Sequence, residues 1–309
     1  MDKVLIIVGP TASGKTKLGI EAAKRFNGEI ISADSMQIYK YMNIGTAKPN
    51  SDEQEGVPHH LIDIMEPNEK FSVAEFKERA EKCIEDILGR GKLPIIVGGT
   101  GLYVNALINT FDFMNTNENP EFRQKLEEEA KQFGNEVLYE KLKKIDPEVC
   151  NRIHLNDLKR IIRALEIYEV TGKNITENQK NTKEISKKYD YIIVGLNTDR
   201  EKLYERINLR VDIMLKEGLL DEVRAIQSRL KDAGKTTSLQ AIGYKEIIDF
   251  YDGKISLDEA IEKVKKESRN YAKRQLTWFR RNQDIVWLEV IDSIENKLEI
   301  IENLLKEEK

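Results

Sequence analysis

Cysteine and histidine are scarce: Cys83 and Cys150 are the two thiols, and His59, His60 and His154 the three imidazoles, in 309 residues. They are not gathered into the ligand set a metal needs, so the cysteines are predicted to be reduced and at least partly buried, and the histidines to be structural or substrate-shaping. Long apolar runs are missing too. None reaches the roughly 20 residues of a membrane span, and the apolar stretch in "MDKVLIIVGP" is too short for a signal core, so a cytoplasmic chain with no membrane partner is expected. Positive charge is in deficit overall. A net charge of -4 and a pI near 5.7 give no global attraction to nucleic acid, which leaves that question to local clusters. Internal repeats and low-complexity segments are absent.

What is present is the composition of a soluble globular protein, 40% hydrophobic and 34% charged, in a chain longer than one core comfortably fills. One large domain carrying an insertion, or two domains, is expected. Val4 to Val8, Glu29 to Ser32 and Leu93 to Val97 read as strands, and Lys15 to Phe26 and Val73 to Leu88 as helices. Strand, crossover helix, strand is the pattern of a parallel sheet with helices on both faces. Tyr191 to Leu196 and Ile285 to Glu289 add later strands. In the gap before Tyr191, roughly Thr116 to Asp190, the chain turns wholly helical, in "ENPEFRQKLEEEAKQFG", "NEVLYEKLKKI" and "NDLKRIIRALEIYEVTGK", with starts at Asn119 and Asn156-Asp157 and stops at Gly134 and Gly172. "REKLYERINLRVDIMLKEGLLDEVRAIQSRL" and "SLDEAIEKVKKESRNYAKRQLTWFRRN" are further helical stretches returning to the core. The predicted fold class is α/β: a P-loop NTPase-like parallel sheet flanked by helices, residues 1–115 plus 191–309, with an all-helical insertion domain, residues 116–190.

"GPTASGKT" follows the first strand and opens the first helix. Gly9, Gly14, Lys15 and Thr16 satisfy G-x-x-x-x-G-K-[ST], a match expected by chance in about 1% of chains of this size, and the strand-to-helix setting is the one the chemistry requires. Backbone N–H groups of such a loop turn inward around phosphate oxygens, the helix N-terminus adds partial positive charge, and Lys15 neutralises the outer phosphate. Gly9, Pro10, Thr11, Ala12, Ser13, Gly14, Lys15 and Thr16 are therefore the candidate phosphate-binding residues, with the Thr16 hydroxyl placed on a Mg²⁺. By motif alone the loop reads as ATP-binding.

One more absence bears on that reading. A P-loop phosphotransferase usually holds its metal with an acid at the end of a neighbouring apolar strand, yet "LPIIV" ends in "GGTG". The nearest strand-end acid is Asp34, in "EIISADSMQIY", on the carboxyl edge of the sheet and so on the side of the phosphate loop. An aspartate there can hold metal, accept a proton or cap a turn.

With "GPTASGKT", "ISADSMQIY", "IGTAKP", "HHLID", "VGGTGLYV", "RALE", "RVDIML", "AIGYKE" and "YAKRQLTWFR" in this order, the chain resembles the bacterial tRNA dimethylallyltransferase family from about Val4 to Arg281. The resemblance implies transfer of a dimethylallyl group from its diphosphate to N6 of the adenine 3′-adjacent to the anticodon, in tRNAs reading codons that start with U. The loop would then hold and stabilise a departing diphosphate, with Mg²⁺ as cofactor. The resemblance further implies Asp34 as general base, Thr100 as the hydroxyl orienting the amine or the bridging oxygen, and Arg210 as a second cation over the diphosphate. Thr100 also reads as a helix N-cap, and Arg210 lies on a helix whose charged face reads as solvated.

For the tRNA anticodon stem-loop, two basic clusters stand out. Between Lys263 and Arg281, eight lysines and arginines face the single acid Glu267 and interleave with Tyr271, Trp278 and Phe279, a mixture suited to unpaired bases, although Leu276, Phe279 and Trp278 also read as core. On the insertion stand Arg152, His154, Lys159, Arg160 and Arg163; where the family pattern has proline, this chain has Leu155. The candidate tRNA contacts are Asp34, Ser35, Met36, Gln37, Thr100, Arg123, Lys159, Arg160, Ile161, Ile162 and Arg163. A monomer is expected. The competing readings are a prenyltransferase acting on free adenine nucleotides, a P-loop small-molecule or nucleotide kinase and, last, a nucleotide-switch module.

Overall fold

The computed structural model describes residues 1–109, 119–180, 188–230, 236–289 and 292–307. Its strands are β1 (Lys3–Val8), β2 (Gly28–Ser32), β3 (His59–His60), β4 (Leu93–Gly98), β5 (Asp190–Asn197) and β6 (Val286–Glu289). All pair in parallel, in the order β3-β2-β4-β1-β5-β6. The apolar runs explain the order: Val4 to Val8 and Pro94 to Gly98 are buried on both faces, and such strands belong at the centre of a parallel sheet. Two-residue β3 has no alternation to read. The two histidines of "HHLID" pair with Ile30 and Ile31 and extend the sheet edge, a structural place for residues expected to be structural or substrate-shaping.

The helices are α1 (Lys15–Arg25), α2 (Ser51–Gln54), α3 (Val73–Gly89), α4 (Gly101–Ile108), α5 (Pro120–Phe133), α6 (Asn135–Ile145), α7 (Leu158–Thr171), α8 (Ile175–Lys180), α9 (Arg200–Lys216), α10 (Leu219–Arg229), α11 (Tyr244–Tyr251), α12 (Leu257–Phe279) and α13 (Ile294–Lys306). Their ends follow local chemistry. Ser72 and Ser256 start α3 and α12 through reciprocal capping with Glu75 and Glu259, and each such cap contributes about 1 kcal/mol. The single helical stretch expected after β5 is broken into α9 and α10 by Gly218, whose φ of 102° lies in the left-handed region. None of the described helices is long and apolar enough to cross a membrane.

The chain forms two compact units, Met1–Leu107 with Lys187–Lys309, and Ile108–Ser186. The expected start of the insertion at residue 116 lies outside the described residues. In the first unit, one core joins the sheet to α1 and α13 through Leu5, Ile7, Leu18, Ile95, Val194 and Ile301, and a second joins α10 and α11 to Ile38, Tyr39 and Met42. The second unit packs α5, α6 and α7 around Leu126, Leu138, Leu142, Ile161 and Leu165.

Candidate active site

The phosphate loop leaves β1 at Gly9, where a Cβ would lie 3.0 Å from Ser13 Oγ and 3.3 Å from the Leu196 carbonyl oxygen. It closes at Gly14, whose φ of 89° caps α1 without a side chain. In this fold the Lys15 ammonium donates to the Pro10 carbonyl at 2.7 Å. Lys15 is half-buried, and burial first, then the neighbouring Arg210 charge, push its ammonium down to about 7 against a partial counterweight from Asp34. Arg210, on α9, reaches the loop through Nη1 to Thr11 Oγ1 at 3.4 Å, and burial lowers its affinity for a proton as well. Ser13 Oγ is buried with no partner. Two cations, an orphaned hydroxyl and a helix N-terminus converge here with one carboxylate opposite, a site short of negative charge.

That carboxylate is Asp34, just beyond β2. Its Oδ1 accepts from Met36 N at 2.9 Å and Gln37 N at 3.4 Å, so it caps the turn as well as facing the site, and Oδ2 takes no part in that turn. Thr100 stands at the end of the β4 loop. Its carbonyl accepts from Tyr103 N and Val104 N at the start of α4, while Oγ1 accepts from Ser35 N at 3.1 Å. The glycines of "GGTG" are there for space: a Cβ on Gly98 would lie 2.2 Å from the Ala33 carbonyl oxygen, and one on Gly99 2.1 Å from Gln275 Nε2. Sequence placed Gly9–Thr16, Asp34 and Thr100 on one sheet edge, the resemblance added Arg210, and the fold brings these residues close together.

Two residues of α12 join them that the sequence reading assigned otherwise or passed over. Tyr271, read as an aromatic for stacking on bases, instead lines both site cavities. Its hydroxyl interacts with Thr100 and Gln275, and burial, followed by the Asp34 charge, pushes it up to about 12. Gln275, almost fully buried, accepts from Thr11 N at 2.8 Å and donates to the Gly99 carbonyl at 3.0 Å, tying the phosphate loop to the β4 loop. The available signal is that Tyr271 and Gln275 are four apart, on one face of a helix.

Two cavities meet at Asp34, Thr11, Arg210 and Tyr271. The smaller, about 90 Å³, is lined by Lys15, Thr16, Ser32 and Gln37 and has the polarity of a phosphate site. The larger, about 400 Å³, has an apolar wall of Ile207, Val211, Met214, Leu219 and Val264. No cluster of three or more His, Cys, Asp or Glu able to hold a metal occurs among the described residues. The Thr16 hydroxyl lines the small cavity, an oxygen donor of the kind a divalent cation takes beside phosphate.

The candidate tRNA contacts divide. Ile161 and Ile162 are 0% and 4% exposed and belong to the helical core, a correction to their place among the contacts: α7 presents one face to α5 and α6, and these side chains occupy it. Lys159 and Arg160 stand exposed on the opposite face. Arg123 donates Nε and Nη2 to fully buried Glu166 at 2.8 Å each, and Arg163 Nη1 reaches the same carboxylate at 2.5 Å. The Gln37 amide bonds Ser32 Oγ and the Thr46 and Ala47 carbonyls, and Met36 packs against the α10–α11 core. The α12 cluster divides as well: Lys265 pairs with Asp212 and Arg269 with Asn208, Phe279 is core, and Trp278 packs against Gly101.

A family model described as IPP transferase matches residues 37–282. A tRNA dimethylallyltransferase of Acetivibrio thermocellus is 54% identical over 304 residues, covering 98% of this chain and 96% of that protein. Among solved structures, the full-length tRNA isopentenylpyrophosphate transferase of Bacillus halodurans is 46% identical with a TM-score of 0.74, covering 99% of this chain and 96% of that one. A eukaryotic dimethylallyltransferase acting on tRNA is 32% identical with a TM-score of 0.85, covering 99% of this chain and 80% of that one.

Proposed function

We propose that this chain, which belongs to the IPP transferase family, transfers a dimethylallyl group from dimethylallyl diphosphate to N6 of the adenine 3′-adjacent to the anticodon, in tRNAs reading codons that start with U. The observation that carries the reading is the pair of half-buried, desolvated cations, Lys15 and Arg210, facing a single carboxylate beside an apolar cavity. A diphosphate ester supplies both what the cations lack and an apolar tail.

The geometry supports a division of roles. Lys15, Arg210, Ser13 and backbone N–H groups at the α1 end of the loop hold the diphosphate and stabilise the charge it gains as its oxygen parts from the allylic carbon with the bonding electrons. N6 forms the new bond to that carbon. Its lone pair is delocalised into the ring, so the proton lost from N6 passes to Asp34, while Thr100 orients the amine. Mg²⁺, held by Thr16 and the phosphates, would add neutralising charge. The adenine leaves its stack to reach this edge, at a cost of a few kcal/mol that phosphate contacts offset. Asp34, Ser35, Met36, Gln37 and Thr100 surround the target base, and Lys159 and Arg160 contact the anticodon arm, whereas Arg123 and Arg163 are already engaged by Glu166. The protein works as a monomer in the cytoplasm.

The test is to offer labelled dimethylallyl diphosphate, and separately labelled ATP, with either tRNA or AMP. Label passing from dimethylallyl diphosphate to tRNA is expected. Transfer from ATP would overturn the reading, and transfer only to AMP would reassign the acceptor.

A further inference from the structure

Residues 43–47 bring Gly45, Thr46 and Ala47 to the walls of the site cavities, yet this segment belongs to no strand or helix that would satisfy its backbone. One side chain does so instead. Glu222, on α10, accepts from Asn43 N at 2.9 Å and Ile44 N at 2.8 Å on Oε2, and from Gly45 N at 3.0 Å on Oε1. The Tyr244 hydroxyl of α11 donates to the same Oε1 at 2.6 Å. Three consecutive N–H groups turned toward one point form an anion-binding concavity, filled here by a carboxylate of the chain itself. Gly45 is required for the approach, since a Cβ there would lie 2.5 Å from the Tyr244 ring.

The contacts continue toward the chemistry. The Thr46 and Ala47 carbonyls each accept from Gln37 Nε2 at 3.3 Å, Gln37 Oε1 accepts from Ser32 Oγ at 3.1 Å, and Gln37 N lies 3.4 Å from Asp34 Oδ1. Neither Glu222 nor Tyr244 lines either cavity. We infer that Glu222, braced by Tyr244, is a positioning residue that sets segment 43–47 and, through Gln37, aims Asp34 at the acceptor. This rests on the prenyl-transfer reading of the same site.

Glu222→Gln keeps the shape but turns an N–H₂ toward donors, so hydrogen–deuterium exchange at residues 43–45 should accelerate. The kcat should fall about ten- to a hundredfold, the range for misplacing a reacting group from a distance, while the KM for dimethylallyl diphosphate stays within about twofold. Tyr244→Phe leaves the three N–H bonds and should show the same pattern with a loss below about tenfold, one hydrogen bond's worth. Unchanged exchange at 43–45 in Glu222→Gln, an unchanged kcat, or donor KM worsening by the same factor as kcat would overturn the inference. Should Glu222→Gln not fold, Tyr244→Phe decides: unaltered exchange and kcat there would overturn it equally. A wild-type protein that prenylates no tRNA would instead remove the functional reading, while the exchange comparison, which needs no substrate, still judges the anchor.

Discussion

Two pairs of cations, one in each unit, meet opposite circumstances. Arg123 and Arg163 of the helical unit share Glu166, a fully buried carboxylate that also accepts from Asn119 N at 2.8 Å. Lys15 and Arg210 of the other unit have no carboxylate of their own; Asp34 lies near both but is engaged in its turn. Basic residues look alike in a sequence. The difference teaches that cations sharing a buried carboxylate are part of the architecture, whereas desolvated cations left to one another mark the place of an anionic ligand.

The comparison is broken most severely at Asp34. Asp34→Asn retains an oxygen for the Met36 and Gln37 N–H groups but cannot take the N6 proton, so kcat should fall about 10²–10⁴-fold, the range for a lost general base, with donor affinity nearly kept. Steady-state kinetics with saturating tRNA would measure it; an activity loss matched by a loss of donor binding would contradict it. Lys15→Ala should lower kcat/KM about 10²–10³-fold, as when one donor to a developing anion is removed.

Lys15 has a pH signature as well. Its native value of about 7 lies below the ordinary 10.5, so between those values the unfolded chain binds more protons and this group alone makes stability rise with pH. A bound diphosphate favours the charged form, so calorimetry near pH 8 in buffers of different ionisation enthalpy should show proton uptake that Lys15→Met abolishes.

The other pair is tested by Glu166→Gln, which should destabilise the helical unit by about 1–3 kcal/mol, the scale of charged hydrogen bonds, seen as faster hydrogen exchange in α5 and α7 while the phosphate loop is unaffected. Burial works to raise the Glu166 value, but its bonds to Arg123, Asn119 N and Arg163 outweigh that and hold it below the ordinary 4.5. Its contribution is therefore present above that value and lost as pH falls through the native one. The smallest effect is expected on the exposed face of α7: Lys159→Ala with Arg160→Ala should weaken tRNA binding severalfold and reduce the slope of log affinity against log salt by about 1–2. An unchanged slope would take α7 out of the tRNA contacts.

Short runs rich in β-branched residues made β1, β2, β4 and β5 legible, because a strand buried on both faces has little else it can be. His59 and His60 of β3 were not, since two polar residues at an edge carry no period. The phosphate loop, Asp34 and Thr100 were legible because they end strands, and every parallel strand delivers its carboxyl end to the same edge. Gln275 was not: an amide between cationic neighbours on α12 looks solvated until the β4 loop and phosphate loop are seen on either side of it. Ile161 and Ile162 sat within a basic segment, and only the packing of α7 separated its apolar face from its charged one.

The sequence by itself determined the parallel sheet, the loop built for phosphate, the acid and hydroxyl on its edge, and a family resemblance that named a diphosphate donor and a tRNA acceptor. These follow from local pattern and covalent order. The tertiary structure alone decided which charges are satisfied from within, Glu166 for two arginines and Glu222 for three backbone N–H groups, and which await a ligand. Whether a charge is satisfied depends on the dielectric around it and on partners far away in the chain, and those exist only once the chain has folded.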